Sequence, residues 1–257
     1  MTFDIGKLNS TLIGIMTFGI ISLSVVNPTA SRAQEASHDI ADYVSDKLED
    51  FTAKMKVGSF DEREGEKINK DFGYIYKLKG DVTLSYKEAN HLRVDGQVAA
   101  SKFTLINNGS KQIIRSSAGL NIKTDLGTSP GKRKTLLDAG MLSKGYLAYT
   151  DAEFKRTQIV NGINCSLFRI SYKDKAEDTS HRLVWIDPKT KVTIKREEYS
   201  QAGKLNCTYF YLQPKEIVAG IWFPTKITVV NKNGKEAGTT LYKDVKVNQG
   251  LDNSLFN

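Results

Sequence analysis

From Leu183 to Phe256 the chain is a succession of short amphipathic runs parted by compact turns, one roughly every ten residues. Leu183-Val184-Trp185-Ile186 runs into Asp187-Pro188-Lys189-Thr190, and Val192 to Tyr199 runs into Ser200-Gln201-Ala202-Gly203. Leu205 to Leu212 precedes Gly220-Ile221-Trp222-Phe223-Pro224, and Asn233-Gly234 supplies a further hairpin turn. This pattern predicts an antiparallel meander. A meander with one apolar face must lay that face on a second sheet, a helix or a ligand.

Upstream, Ile40, Val44, Leu48, Phe51 and Met55 recur at spacings of three and four, which predicts a helix over 40–55. A second helix is expected over 60–69, capped by Ser59, with Asp61 and Glu62 in its first turn. Between Phe72 and Tyr86 the even positions are aromatic or aliphatic apart from Gly80, and the odd ones mostly polar. That predicts one long strand bent at Gly80. Asp95-Gly96 reads as a bend, Asn108-Gly109 and Asn161-Gly162 as hairpin turns, 119–134 as a loop and 134–142 as a short helix.

Lys7, the apolar run Thr11 to Val26 and the small-residue site Ser31-Arg32-Ala33 form a secretory leader pattern. The run is shorter than the ~20 residues of a comfortable membrane span. Residues 1–33 are therefore expected to be a cleaved signal peptide or, alternatively, a retained anchor, with 34–257 as a single domain. Losing 1–33 removes Lys7, Arg32 and Asp4, so the net charge falls by one, from +8 to +7. Cys165 and Cys207 fall on strands separated by two others in the meander, which argues against a disulfide even in an oxidising compartment.

Catalytic patterns are missing. His38, His91 and His181 have no metal-site spacing. Gly127-x-x-x-Gly131-Lys132 is one residue short of a phosphate loop, and Arg133 stands where a hydroxyl residue is needed. There is no Gly-x-Ser-x-Gly elbow, and Glu197-Glu198 point to opposite faces of a strand. No strand face combines basic and aromatic residues as a nucleic-acid platform would. The expectation is a protein that is not an enzyme, takes no cofactor or metal and binds no nucleic acid.

The closing motifs are Val184-Trp185-Ile186-Asp187-Pro188-Lys189-Thr190, Gly220-Ile221-Trp222-Phe223-Pro224-Thr225-Lys226-Ile227, and Val245-Lys246-Val247-Asn248 before Asp252-Asn253-Ser254-Leu255-Phe256. With the leader, the N-terminal helices and the long strand, their order resembles the outer-membrane lipoprotein-sorting, LolA-like superfamily, to which a domain of the envelope stress sensor RseB is related. The resemblance spans 36–257 and is best over 181–256. It implies an α+β fold: a strongly curved antiparallel sheet, an unclosed half-barrel, with a few helices covering the concave face. It implies a non-enzymatic, monomeric periplasmic carrier holding lipid or lipoprotein acyl chains in an apolar groove between sheet and helices. The alternative is an envelope sensor or interaction module docking on an inner- or outer-membrane protein.

Strand parity suggests which residues face that groove. The even positions Phe72, Tyr74, Tyr76, Leu78, Val82, Leu84 and Tyr86 make one apolar face. A tight turn at 187–190 would pair Trp185 with Val192 and Leu183 with Ile194, gathering all four on one side. Phe210 and Leu212 join them if the Gly203 turn is bulged; a one-residue slip would substitute Tyr209 and Tyr211.

Overall fold

The structure, a computed structural model, describes residues 37–70, 72–174 and 178–257. The candidate leader lies outside the described residues. Thirteen strands form one antiparallel sheet. They are β1 (Asp50–Phe60), β2 (Lys79–Lys87), β3 (His91–Val98), β4 (Ser101–Asn108), β5 (Lys111–Ser116), β6 (Asn121–Asp125), β7 (Thr150–Val160), β8 (Ile163–Tyr172), β9 (His181–Ile186), β10 (Thr193–Tyr199), β11 (Leu205–Val218), β12 (Ile221–Asn231) and β13 (Glu236–Val247). The order β6-β5-β4-β3-β2-β1-β13-β12-β11-β10-β9-β8-β7 joins two meanders through the β1–β13 pair. The sheet is not closed: β6 and β7 are its two edges. Among the described residues helix is limited to α1 (Glu62–Glu66), α2 (Lys144–Leu147) and a few 3-10 turns.

Turn chemistry places the hairpins where it was expected. Val160 pairs with Ile163 across Asn161 and Gly162, which take φ 51° and 79°. Asn108 pairs with Lys111 across Gly109. Asp95-Gly96 is not a turn; both residues lie inside β3.

Three local expectations fail, two of them for one reason. The helix expected over 40–55 is a single 3-10 turn at Ile40–Tyr43 followed by β1. Phe51, Ala53 and Met55 alternate inward along that strand. The long strand expected over 72–86 is a 3-10 turn at Phe72–Lys77 followed by β2. There Tyr76 stacks on Phe72 and Phe60, ring centroids 5.1 Å apart in both pairs, while Tyr74 points outward at 64% exposure. A spacing of four residues fits both a helix and a strand, and tertiary packing made the choice. The helix expected over 60–69 shrinks to α1, and the side chain of Asp61 rather than Ser59 caps it by accepting from Glu64 N.

Candidate functional site

Residues directly opposite in a ladder share a face, so the pairing sorts the sheet into two faces. On the first, Val82, Leu84 and Tyr86 of β2 stand beside Met55, Ala53 and Phe51 of β1. Met55 faces Tyr242, Thr240 faces Ile227, and Ile227 faces Tyr211. Tyr209 faces Arg196, which faces Val184, which faces Phe168. The second face carries Leu183 and Trp185, because side chains alternate along β9.

The two predicted halves of the groove therefore lie on opposite sides of the sheet. Leu78, Val82, Leu84 and Tyr86 are buried in the first-face core with Phe51, Met55 and Phe223; Tyr76 is buried with its ring against Gly238, and Phe72 is half-buried. Leu183, Trp185 and Ile194 cluster with Leu167 and Cys165 on the second face. The expected pairing of Trp185 with Val192 and Leu183 with Ile194 is also corrected. Trp185 faces Lys195 and Leu183 faces Glu197: the connection is longer than the tight turn expected, so that Thr193 faces Ile186, and a bulge between Thr193 and Lys195 shifts the register one residue further. Lys195 Nζ lies 4.3 Å from the Trp185 ring centre. Val192 is buried at the turn before β10. The bulge beyond Glu198 does place Phe210 opposite Lys195, so Phe210 and Leu212 join the Trp185 face, half-buried. Cys165 and Cys207 are both free.

The first face is closed by irregular chain. Leu136, Ala139 and Met141 pack on the β1–β2 core, while Leu137, Leu142 and Tyr146 pack on Phe168, Ile170, Val184 and Ile186 together with Tyr43 and Val44. Gly140 takes φ 85° and fits closely: an added Cβ would come within 2.6 Å of Tyr211 and 2.9 Å of Pro224.

Under this segment lies a group of charges that the sequence did not advertise. Arg196, 1% exposed, donates from Nη2 to Asp138 Oδ1 at 3.0 Å and lies 3.3 Å from Glu198 Oε1. Arg182 donates to the Gly131 carbonyl at 3.2 Å and to the hydroxyls of Tyr146 and Tyr172, and pairs with Glu198 at 3.5 Å. The Arg196 guanidinium stacks over Tyr209, 4.0 Å from its centre. Tyr211 Oη donates to the Leu137 carbonyl at 2.8 Å. Asp138 Oδ2 accepts from Thr135 N at 2.8 Å. Two arginines and two carboxylates cancel, which is what permits such burial.

Protonation follows the partners. Burial works against ionised Asp138, but Lys134, Arg196, the Thr135 amide and Arg182 outweigh it and hold the carboxyl down, to about 2. Burial likewise opposes ionised Glu198, and Arg196 and Arg182 overcome it. Burial pushes the Cys207 thiol up, and Glu198 beside it adds to the rise. That thiol is not an activated nucleophile. Arg196 Nε is buried without a partner.

The arginines belong to the fixed sheet, and Asp138, Leu137 and Gly131 to the overlying segment. These bonds latch the segment onto the face. Two open depressions of ≈ 510 Å³ and ≈ 550 Å³ lie elsewhere, the first lined by Thr52, Lys54, Thr83 and Lys246, the second by Phe60, Asp61 and Arg63. Neither is lined by a predicted groove residue. Among the described residues no three His, Cys, Asp or Glu gather as a metal site, and no helix is long and apolar enough to cross a membrane.

Solved structures share this architecture. A putative outer membrane lipoprotein-sorting protein domain from Vibrio parahaemolyticus superimposes with TM-score 0.57 at 14% identity, over 85% of this chain and 93% of that one. A LolA superfamily protein from Nitrosomonas europaea gives TM-score 0.54 at 16% identity, over 85% and 94%. The fold is LolA-like. A DUF1329 family protein from Desulfovibrio piger also matches, with TM-score 0.51 at 12% identity, over 85% and 92%. Residues 139–257 match a family model described only as an uncharacterized protein, and no curated protein matches the sequence. At these identities the LolA-like likeness establishes architecture; the latch and the segment it holds are described from this chain's own residues.

Proposed function

We propose that this chain is a non-enzymatic lipid or lipoprotein carrier of the cell envelope, exported by residues 1–33 and folded as one domain over 34–257. In this reading the first face is the hollow of a curved sheet, the segments 40–48, 72–78 and 130–147 are its cover, and acyl chains enter by displacing the cover. The observation that carries the reading is the kind of cover: a broad apolar sheet face sealed by short turns and a latch rather than by a second sheet.

The exchange is close to balanced. Leu136, Leu137, Ala139, Met141, Leu142 and Tyr146 belong to the cover and are buried where it docks on the sheet. At ~2 kcal/mol per large side chain, lifting them costs on the order of 10 kcal/mol. An acyl chain of about sixteen carbons gains ~13 kcal/mol at ~0.8 kcal/mol per methylene. Loading is then reversible, as a carrier requires.

Lipid extraction from the natively purified protein, followed by mass spectrometry, tests the reading. Bound acyl lipid is the expected result. Protein that is empty and also ignores fluorescent fatty acids overturns it.

One observation favours a second reading, an envelope sensor docking on a membrane protein: the ionic latch makes the sealed state the resting one, so that opening would be a signal. A mature protein whose N-terminal sequence still begins before residue 33 supports the sensor, since a tether hinders a shuttle.

A further inference from the structure

The second face carries an uncompensated field of lysines. On β1, β12 and β13 that face presents Lys54, Lys56, Lys226, Lys243 and Lys246. Lys54 stands directly opposite Lys243. Like charges so placed repel, and against that, among the described residues, Lys54 Nζ has only a hydroxyl partner, donating to Thr83 Oγ1 at 3.0 Å. The acids of the same strands are Asp50, Glu236 and Asp244. Asp50 is buried and accepts from the amides of Gln249, Gly250 and Leu251. Glu236 accepts from the hydroxyls of Ser59 and Thr239. That leaves Asp244, at the bulge beside Lys243, against five lysines. Among the described residues none of the five is in an ion pair.

Aliphatic side chains interleave with the charges. One lateral row reads Lys56, Leu241, Lys226, Leu212 across four strands. Leu241 is 39% exposed. The open depression bounded by Thr52, Lys54, Thr83 and Lys246 sits in the same field.

We propose that this face of β1, β12 and β13 docks on an anionic lipid bilayer. The charges spread in two dimensions over the sheet face, with strands ~4.8 Å apart and same-face residues ~6.8 Å apart along each strand. That suits an array of headgroups better than a single extended peptide. The strand backbones here are already paired on both sides, so no sheet edge is offered to an acidic peptide. Lysine stems lie along an apolar boundary while their ammonium groups reach phosphates, and Leu241 and Leu212 meet the acyl region between them. The surface is separate from the sealed first face, so protein stripped of lipid docks equally well.

Flotation with vesicles of phosphatidylcholine alone, and with vesicles rich in phosphatidylglycerol, tests the proposal. The wild type is expected to float with the anionic vesicles only, and less so as salt is raised. The variant Lys54→Gln/Lys226→Gln/Lys243→Gln should bind about a hundred-fold more weakly, each lysine near such a surface being worth roughly a factor of five. A matched variant in exposed turns and loops, Lys189→Gln/Lys204→Gln/Lys235→Gln, should lose less than about five-fold. The triple arginine variant at 54, 226 and 243 should bind like the wild type, which separates charge from folding. Wild-type protein that ignores the anionic vesicles, or loop and face variants that lose equally, overturns the proposal. So does binding to soluble polyglutamate that is as tight as to vesicles at equal anionic-group concentration, which would assign the face to an acidic protein.

Discussion

Replacing Asp138 with asparagine tests whether the latch holds the cover. The carboxylate faces Arg196 at 3.0 Å and the Thr135 amide at 2.8 Å. Its pKa is lowered from 3.8 to about 2 in the fold, which corresponds to ~2.5 kcal/mol at ~1.4 kcal/mol per unit. Removing one partner of a buried pair costs ~3–5 kcal/mol when the other charge is left alone. Here Glu198 stays 3.3 Å from Arg196, so the low end applies and the two routes agree. At ~2–4 °C per kcal/mol for a domain of this size, Tm should fall by ~5–10 °C at neutral pH. Because the folded pKa lies below the unfolded one, the contribution is fully present above pH 3.8 and is lost as pH falls through about 2. The gap between wild type and Asp138→Asn in urea unfolding must therefore narrow over that window. A gap of unchanged size at pH 2, or a loss under about 0.5 kcal/mol at neutral pH, where substitutions away from any special feature fall, would refute the latch.

Other changes probe the same arrangement from different sides. Tyr211→Phe removes the hydrogen bond to the Leu137 carbonyl and should cost ~1 kcal/mol in urea unfolding, with faster amide exchange confined to the overlying segment. Gly140→Ala meets Tyr211 at 2.6 Å in a left-handed backbone and should cost more than ~2 kcal/mol; full wild-type stability would mean that the segment is not seated there. Trp185→Ala should lower stability by ~3 kcal/mol yet leave fluorescent fatty-acid uptake unchanged, since its ring lies on the second face. Asp138→Asn should raise the rate of that uptake, and equal rates in wild type and variant would place lipid entry elsewhere.

The sequence made the meander legible because hairpin turns are local chemistry. Asn161-Gly162 needs only that two adjacent residues accept positive φ. The outcome of a four-residue spacing is not local. Phe72 and Tyr76 stack in a 3-10 turn because Phe60, at the end of β1, offers a ring to stack on. Phe51 and Met55 extend because β2 and β13 supply partners on both sides. The partners that decided each case lie elsewhere in the chain, and no window of sequence contains them.

The candidate site was hidden by the same kind of fact. Apolar parity holds within β2 and β9, but parity is silent about which side of the sheet is covered. The Trp185 set reads as the lining because parity gathers Leu183 and Trp185 with Val192 and Ile194, opposite Arg182, Lys191, Thr193 and Lys195. Its neighbours across the ladder are Lys195 and Glu197, and what buries it belongs to the sheet itself: Lys195 lies over the Trp185 ring, and Leu167 and Ile194 pack beside it. The set that includes Val184 and Ile186 alternates with it and carries two arginines, which on hydropathy alone is the poorer interior. It is nevertheless the covered side. A segment 58 residues earlier brings Asp138 to Arg196 and makes burial of the charge tolerable. Arg182 and Arg196 thus need their partners in place to be buried at all. A cover that leaves strands them in an apolar face with Glu198 as the one carboxylate, a net positive site. Lifting the cover is therefore cheapest for a ligand that brings its own anion to the two guanidinium groups. Uptake of a fatty acid should exceed that of the matching alcohol, and equal uptake of the two would show that the arginines play no part in admitting a guest.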